Sequence, residues 1–419
     1  MTAPPRASAA AASAVSVAAE AATIPAVPAA AEAATIPAVS VAASAAAVAD
    51  DEPVRVGQVG STVAGAPTDR WWRRWPCRVL LAAAALWLGF TTAHLLLSGR
   101  LWWWRLADLL PPIVFLATPV LLAVVAAGSR RARRPVALLS LAALLLGAGL
   151  TGLNLPGPLR PAPPVPADAL RVVSWNTEYW HPADRATEFY DLLRAQRADV
   201  YLLQEYLDEV DGEVVRADEL DQVRQQLPEY HIAVVGELLT LSRYPIVAAT
   251  PLSATGLPPA PTDFTDFWNH QVLRTDLLVD GQVVSAYNAH LPVPLWAGGP
   301  SLFSAAFHEA IRTQHERRVP QFGALAADVA DNPHPILVAG DLNTSPAMGD
   351  THRFPPQLRD AGYASRSAYP VSWSAGGPSL LLWRLDWALV SDDIEVHRYE
   401  FRDPDGHSDH RLQFLTISA

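Results

Sequence analysis

The sequence contains almost no cysteine and no lysine. Cys77 is the one cysteine among 419 residues, which excludes a disulfide framework and a cysteine-based zinc site within the chain. All 31 basic residues are arginines, a bias that indicates genomic composition more than function. The charge is unevenly spread, since after Ala162 18 arginines face 35 acidic residues and the formal charge is −17. This acidity argues against a general nucleic-acid-binding surface, which neutralises phosphates with basic side chains.

Residues 1–69 have few aromatics and consist mainly of alanine, valine, serine and proline. The stretch EAATIPAV begins at Glu20 and again at Glu32, but two copies are too few for a repeat architecture. This composition predicts a disordered N-terminal tail. No basic segment precedes an apolar core there, so a cleaved signal peptide is not expected.

Three apolar runs follow the tail, and each approaches the ~20 residues with which a helix crosses a bilayer. The runs are Val79–Ser98, Leu109–Ala127 and Val136–Leu153. Buried core helices of a soluble domain are the alternative, which is disfavoured because arginines are confined to the segments between the runs. Tryptophans suited to a membrane interface flank the first two runs, namely Trp71, Trp72, Trp75 and Trp102 to Trp104. Residues 70–153 are therefore predicted to form a membrane anchor of three transmembrane helices.

The placement of the arginines predicts how this anchor is oriented. Four arginines lie directly before the first run and four lie between the second and third, but only Arg100 and Arg105 lie between the first and second. Because cytoplasmic loops carry the excess of arginine, the N-terminus should be cytoplasmic. The chain after Leu153 should then be extracytoplasmic, which predicts a multi-pass protein of the cell membrane.

After the anchor, residues 154–166 (NLPGPLRPAPPVP) indicate a semi-rigid proline-rich linker, and residues 167–419 a single soluble domain. Predicted strands lie at Arg171–Trp175, Val200–Leu203, Ile336–Ala339 and Trp383–Val390, and predicted helices at Glu188–Arg197 and Phe303–Asp331. The segment from Val279 to Gln282 is typical of a two-residue hairpin turn. Such a mixture of strands and helices predicts an α/β or α+β sandwich.

Polar residues stand at the ends of several of these strands. In HPILVAGDLNTSP, Asp341 and Asn343 follow a strand, and an acceptor beside an amide donor suits holding a water and a phosphoryl oxygen. Comparable residues are Asn176, Gln204, Glu205, Asn288, His290, Asp386 and the His407–His410 stretch HSDH. Asp386 lies inside an apolar strand, where an unpaired carboxylate would be costly. Each residue alone is also explained by a turn, an exposed acid or an ion pair, but turns do not explain their common order.

That order resembles the endonuclease/exonuclease/phosphatase superfamily, which has the DNase I-like fold. The matching pieces are Trp175–Asn176, Gln204–Glu205, SRYPI at Ser242–Ile246, NAHL at Asn288–Leu291, GDLN at Gly340–Asn343, LDWALVS at Leu385–Ser391 and SDH at Ser408–His410. They span the soluble domain, and none lies in residues 1–165. The resemblance implies a four-layered α/β sandwich, here preceded by three transmembrane helices and the tail.

The resemblance also implies a metal site. Glu205 would bind a divalent cation, Mg²⁺ or Mn²⁺, with help from Asn176. Oxygen ligands completed by waters and substrate phosphate suit such a hard ion. Asp409 would be a further metal or water ligand, whereas His407 has no counterpart in the family.

The implied catalytic residues surround the phosphate. Asp341 would orient or deprotonate the attacking water, and His290 and Asn343 would donate to the non-bridging oxygens. Asp386 would hold His410 in orientation. Whether His410 acts as a base or as a phosphate-binding acid stays open.

These features together predict a membrane-anchored, metal-dependent phosphohydrolase with an extracytoplasmic active site. The anchor resembles that of bacterial superfamily members linked to glycopeptide resistance and to polyprenyl-pyrophosphate dephosphorylation, so the expected substrate is a lipid-linked phosphate or pyrophosphate. The apolar segment Leu291–Phe307, with Trp296 and Phe303, could face that lipid. The alternatives are a tethered extracellular nuclease, which the acidic domain disfavours, and an inactive membrane-anchored binding module.

Overall fold

The computed structural model describes residues 75–161, 163–180, 185–210, 213–254, 269–295, 301–302, 304–374 and 381–419. The predicted tail, residues 1–69, lies outside these ranges. Trp71, Trp72, Trp296 and Phe303 lie outside them as well, so their predicted interfacial or lipid-facing roles stay predictions.

The apolar runs form three packed helices, with a short helix between the first two. The helices are α1 (Trp75–Leu97), α2 (Arg105–Asp108), α3 (Val114–Ala127) and α4 (Arg133–Gly147), with 3-10 turns at Trp102–Trp104 and Ala148–Thr151. Two stretches, Trp75–Leu97 and Arg133–Thr151, are long and apolar enough to cross a membrane, with 23 and 19 residues. The middle helix, α3, is shorter than predicted at 14 residues, because Pro111 and Pro112 disfavour helix in the residues before them.

The outer surface of these helices is apolar. Leu86, Leu138 and Leu145 are 74%, 68% and 71% exposed. The contacts between the helices instead include small residues such as Ala84 and Ala126. This distribution is typical of helices that pack within a membrane, and it differs from the buried apolar face of a soluble core.

The helices α1 and α4 run in the same direction, and α3 runs against them. At one end of the bundle, Cys77 Sγ at the start of α1 lies 3.2 Å from Ser129 Oγ just after α3. At the other end, Gly147 of α4 approaches Thr91 of α1 and Phe115 of α3. The carboxyl ends of α1 and α4 therefore lie at the same end of the bundle, which contacts the rest of the chain.

The remainder of the described chain contains two six-stranded sheets, two hairpin-like pairs and three helices. The strands are β1 (Leu170–Asn176), β2 (Val200–Gln204), β3 (Leu207–Val210), β4 (Glu213–Arg216), β5 (His231–Val235), β6 (Leu238–Ser242), β7 (Ile246–Pro251), β8 (Val272–Val279), β9 (Gln282–His290), β10 (Ile336–Asp341), β11 (Arg359–Asp360), β12 (Trp373–Ser374), β13 (Leu381–Trp383), β14 (Asp386–Val390), β15 (Glu395–Arg402) and β16 (Leu412–Ser418). The helices are α5 (Ala186–Gln196), α6 (Leu220–Gln226) and α7 (Ala305–Asp331), with 3-10 turns at Gly157–Leu159, Gly349–Arg353 and Ala361–Ala364. The sheet orders are β15-β16-β1-β2-β6-β5 and β11-β14-β10-β9-β8-β7, and β3 pairs with β4 and β12 with β13.

The two large sheets pack face to face, with helices on their outer faces. Apolar side chains of both sheets, such as Leu202 and Leu337, share one core. Phe189 of α5 packs in a second core on the outside of the first sheet. Phe322 of α7 packs in a third core on the outside of the second sheet. The part of the chain that follows the helical bundle is therefore a four-layered α/β sandwich.

Most of the predicted elements lie where the sequence indicated, and one is divided. The hairpin between β8 and β9 turns at Asp280 and Gly281, both with positive φ. The predicted strand Trp383–Val390 is two strands, because β13 pairs with β12 whereas β14 pairs with β10. Arg384 and Leu385 carry the chain from one pair to the other.

Candidate active site

The register of the strands brings the predicted residues to one edge of the sandwich. In the second sheet, Asp341 of β10 is level with His290 of parallel β9 and with Asp386 of antiparallel β14. In the first sheet, Asn176 of β1 is level with Gln204 of parallel β2. Because parallel strands end at the same edge of a sheet, residues far apart in sequence meet there.

Asn176 joins the two sheets at this edge. Its Nδ2 donates to Glu205 Oε1 at 2.9 Å and to Asp341 Oδ2 at 3.2 Å. Its Oδ1 accepts from the backbone N–H of Glu178 at 3.0 Å. Asn176 therefore orients both carboxylates, and its amide oxygen, which the predicted role as metal ligand requires, is engaged by the backbone.

Several backbone residues around the edge have conformations that L-residues rarely adopt. The φ angles of Glu178, Tyr179, Glu205 and Asn343 are 50°, 69°, 59° and 46°. Such strain persists where surrounding contacts hold it, and it commonly accompanies functional sites. Gly340 has φ of 155°, and a Cβ there would lie 1.8 Å from the carbonyl oxygen of Ala289. The glycine of GDLN is therefore required for β10 to approach β9 just before Asp341.

A buried carboxylate holds His290. Its Nδ1 lies 2.9 Å from Oε1 of Glu237, a side chain with no solvent exposure. Burial alone would lower the pKa of His290, but Glu237, with Asp341 and Glu205, raises it to about 10. Nε2 of this imidazolium lies 3.7 Å from Asp341 Oδ2 and 3.9 Å from Glu205 Oε1. His290 therefore directs a proton donor at the gap between the two sheets.

A second imidazole–carboxylate pair faces Asp341 from the other side. His410 Nδ1 lies 2.9 Å from Asp386 Oδ2, and its Nε2 lies 3.6 Å from Asp341 Oδ2. Burial would lower the pKa of His410, but Asp386 and Asp341 outweigh it and raise that pKa well above its ordinary value. The SDH motif positions the ring, because Ser408 Oγ accepts from the N–H of His410 and donates to the carbonyl of Asn176.

Asp341, Asp386 and His410 are, among the described residues, the one group of three metal-ligand side chains that meets within 4.8 Å. This geometry belongs to a hydrogen-bonded relay, since Nδ1 of His410 is committed to fully buried Asp386. Asn343 completes the Asp341 environment, with its Nδ2 donating to Asp341 Oδ2 at 3.2 Å and to the carbonyl of Leu291 at 3.0 Å.

Glu205 and Asp409 offer oxygens that fit a hard divalent cation. Their side chains keep 21% and 36% exposure, so an ion can reach them. Burial raises the pKa of Asp409, and neighbouring Glu205 and Asp341 raise it further. Burial likewise raises the pKa of Glu178, with Asp409 adding to it. Oxygen ligands and an excess of negative charge are what Mg²⁺ and Mn²⁺ prefer.

Three residues of the site were not identified from the sequence. Glu237 stands behind His290, and the carboxylate of Glu178 accepts from the backbone N–H of Asp409 at 2.7 Å. Trp373 donates from its indole to Asp409 Oδ2 at 2.7 Å. A WN motif two residues before Glu178 was the available signal for that residue. Glu237 and Trp373 lie in no motif of the resemblance.

The comparison with family profiles gives one match. The profile of the endonuclease/exonuclease/phosphatase family matches residues 173–410, more than half of the chain. The matched segment includes every residue described above as part of the site. The search of curated proteins gives no match.

Three of the solved structures to which the chain is similar have low sequence identity to it. A humanised TDP2 of D. rerio carrying 14 mutations is 14% identical, over 60% of this chain and 100% of that one, with a TM-score of 0.45. A family protein of Leptotrichia buccalis C-1013-b is 14% identical over the same shares, with a TM-score of 0.44. A mannosyl-6-phosphatase of Bacteroides thetaiotaomicron VPI-5482 is 15% identical over 60% of this chain and 100% of that one, with a TM-score of 0.42.

Proposed function

Because the chain belongs to the endonuclease/exonuclease/phosphatase family, we propose that it is a membrane-anchored, metal-dependent phosphohydrolase that acts on a lipid-linked phosphate or pyrophosphate. Members of this family are typically hydrolases of phosphoesters. The finer parts of the proposal are the anchor, the extracytoplasmic site, the lipid substrate and the use of Mg²⁺ or Mn²⁺.

One observation supports the proposal of a lipid substrate. The loop that follows Asp341 and Asn343 packs against the apolar helices. His94, in the last turn of α1, hydrogen-bonds the carbonyl of Ala347 at 2.7 Å. Ser98, just after α1, accepts from the N–H of Gly349 at 2.6 Å. If α1 crosses a bilayer, the active site lies at that membrane surface, where anchoring raises the effective concentration of a lipid substrate.

The residues of the site have separable roles in this proposal. A divalent cation held at Glu205 and Asp409 would polarise a phosphoryl oxygen and neutralise developing charge. Asp341, between two imidazoles, is suited to orient the attacking water. His290 directs its Nε2 proton at the position of the phosphate oxygens, a preorganised interaction of a kind worth ~10²–10³ in rate.

Asp386 and His410 form the remaining pair. Asp386 fixes the tautomer and orientation of His410, as carboxylates do in hydrolytic dyads. The raised pKa of His410 favours the charged form, which would bind phosphate or donate a proton to the leaving oxygen. This supports the acid over the base among the two roles open for His410.

The test uses the full-length chain in lipid nanodiscs. Phosphate release from a polyprenyl pyrophosphate and nicking of plasmid DNA are each measured with Mg²⁺, with Mn²⁺ and with chelator. We expect metal-dependent phosphate release and no nicking, and we expect Glu205→Gln to abolish the release while the exposed Glu316→Gln retains it.

The other outcomes decide between the alternatives. Nicking of DNA without phosphate release would identify a tethered nuclease instead. An absence of metal-dependent turnover on both substrates would favour a binding module. Equal rates on the lipid and on a soluble aryl phosphate at matched concentrations would contradict the lipid substrate alone.

A further inference from the structure

A buried cluster of charged side chains lies between the anchor and the sandwich, outside the site described above. Arg105 and Asp108 come from α2, and Asp350 and Arg318 come from the sandwich; all four are at most 1% exposed. Arg105 Nη2 donates to Asp350 Oδ1 at 3.0 Å, and its Nη1 donates to Asp350 Oδ2 and, at 3.4 Å, to Asp108. Arg105 and Asp108 precede the segment that the family profile matches, whereas Arg318 and Asp350 lie within it.

The backbone around the cluster fits closely. A Cβ on Gly349 would lie 2.1 Å from the carbonyl oxygen of Ser98, and a Cβ on Gly99 would lie 2.4 Å from the carbonyl carbon of Gly349. Ser98 Oγ also donates to Asp108 Oδ1 at 2.6 Å while it accepts from Gly349. The segment after α1 and the loop after Asn343 therefore have one tightly defined relative position.

Arg318 connects the cluster to the active site. Its Nη2 lies 3.5 Å from Asp350 and donates to Thr344 Oγ1 at 2.8 Å, and its Nη1 donates to the carbonyl of Pro292. Thr344 follows Asn343, and Pro292 lies two residues after His290. Arg318 thus joins the two loops whose residues face the phosphate position.

The anchor also reaches the opposite side of the site. The indole of Trp383 donates to the carbonyl of Leu109 at 3.2 Å. Trp383 packs against Trp373 with ring centroids 5.6 Å apart, and Trp373 donates to Asp409. The loop of Asn343 on one side of Asp341 and Asp409 on the other side are therefore both connected to the segment between α1 and α3.

Burying these charges is expensive, and an ion pair in a protein interior rarely adds net stability over an apolar contact. A buried ion pair instead contributes a defined geometry, because removing one partner leaves the other charge buried and unpaired. A misplacement of about 1 Å caused far from the reacting atoms can reduce a rate by ~10²-fold. The cluster is therefore suited to set the position of the catalytic loops.

We propose that Arg105 of the anchor is a positioning residue of the active site, which acts through Asp350 and Arg318 on the loop that carries Asn343. Efficient hydrolysis then requires the docked anchor, and the anchor does more than tether the enzyme. This inference rests on the proposed hydrolase activity.

The test measures hydrolysis of a soluble aryl phosphate by the full-length chain in nanodiscs, so that access to a lipid substrate does not enter. We expect Arg105→Met to lower kcat by ~10²-fold with KM nearly unchanged, and Arg105→Lys, which keeps the charge, to recover part of the loss. Arg312→Met, which removes an exposed arginine of α7 paired with Glu316, is the matched control and should keep the wild-type kcat.

Milder variants distinguish a loss of positioning from a loss of folding. Ser98→Ala and Thr344→Val each remove one hydroxyl from the network, and both should lower kcat without changing the thermal midpoint by more than a few degrees. In an Asn343→Ala background, each should have little further effect, because positioning acts through Asn343. Additive losses in that double-mutant cycle, or full kcat in Arg105→Lys and Ser98→Ala alike, would overturn the proposal.

A second readout needs no turnover. Hydrogen exchange at the amides of Leu342 to Thr344 should be faster in Ser98→Ala and Arg105→Lys than in the wild type and in Arg312→Met. If the wild type hydrolyses neither the aryl phosphate nor the polyprenyl pyrophosphate, the proposed function fails, and the exchange rates still decide whether the anchor holds the loop. Unchanged exchange would reject the positioning role even for an active enzyme.

Discussion

At the residue scale, the site is organised around Asp341, which faces one imidazole on each side. Behind His290 lies Glu237 and behind His410 lies Asp386, both fully buried. Each carboxylate accepts from Nδ1 and thereby fixes the ring so that Nε2 faces Asp341. The raised pKa values favour the charged form of both histidines, which are aimed at one point, and in the proposed function they would stabilise negative charge developing on a phosphoryl group.

Replacing Asp386 with asparagine should lower kcat by ~10²–10⁴-fold, because the amide no longer fixes the tautomer or the charge of His410. Steady-state hydrolysis by purified protein measures the effect. His407→Ala is the control, since His407 packs against Phe189 with ring centroids 5.7 Å apart and faces none of the site carboxylates. A comparable loss in both variants would contradict the assigned role of Asp386.

Replacing Glu237 with glutamine should shift the alkaline limb of the pH–rate profile. Burial lowers the pKa of His290, and Glu237 is the main cause that raises this pKa to about 10. Without that charge the imidazolium loses its proton at lower pH, so the limb should move to lower pH by ~1–3 units. The profile of kcat/KM against pH measures this shift, with Glu316→Gln as control. An unmoved limb would show that His290 does not carry the titration.

Of these two carboxylates, the sequence identified Asp386 and missed Glu237. Asp386 interrupts an apolar strand, and a carboxylate there needs a partner. Glu237 follows Gly236 in the turn between β5 and β6, as one of 35 acidic residues after Ala162. Its burial is decided by the packing of the second sheet over that turn, which no local pattern records.

At the scale of elements, the parallel pairs β1–β2 and β9–β10 explain why strand ends were informative. Residues that end parallel neighbours meet at one edge, so Asn176, Glu205, His290 and Asp341 were predictable as a group. The relation between the two sheets was not predictable in this way. Besides the shared apolar core, Asn288 joins the sheets beneath the site, where its amide accepts from Gln204 at 2.6 Å and donates to the carbonyl of Leu203 at 2.9 Å.

Two glycine substitutions should have opposite effects. Gly349→Ala introduces a Cβ that overlaps the carbonyl of Ser98, and overpacking of this kind costs ~1–3 kcal/mol. Gly323→Ala, in α7, meets nothing within 4 Å and should stabilise the helix by ~0.5–1 kcal/mol. Thermal unfolding in detergent measures both changes. Equal midpoints in the two variants would show that the loop after Asn343 is not packed against the anchor.

At the scale of the whole molecule, the sequence predicted an anchor and a catalytic domain but no contact between them. Arg105 counted only as a loop charge in the orientation argument, and Asp350 belongs to no motif. A buried ion pair between residues 245 positions apart leaves no local pattern in a single sequence. The contact between the anchor and the sandwich is therefore seen only in the three-dimensional structure.

The direction of the helices bears on how often the chain crosses the membrane. The carboxyl ends of α1 and α4 both meet the sandwich, so the chain between them has to return once. The return segment includes α3, whose 14 residues span about 21 Å, less than the ~30 Å hydrocarbon core. Turn residues precede it, with Leu109 and Ile113 in the helical region of φ and ψ. If α1 and α4 both cross a bilayer, the chain between them has to cross it as well, so three crossings stay the prediction.

A reporter that is active only outside the cytoplasm tests the number of crossings. With three crossings, fusions after Gly99 and after Ala419 should be active, and a fusion after Ser129 should be inactive, because Ser129 lies at the α1 N-terminal end of the bundle. If the shorter α3 does not cross, the fusion after Ser129 becomes active and the one after Ala419 inactive. That result would place the active site in the cytoplasm, on the side of the membrane opposite to Arg105, and would contradict both the extracytoplasmic part of the proposed function and the docking of Arg105 against Asp350.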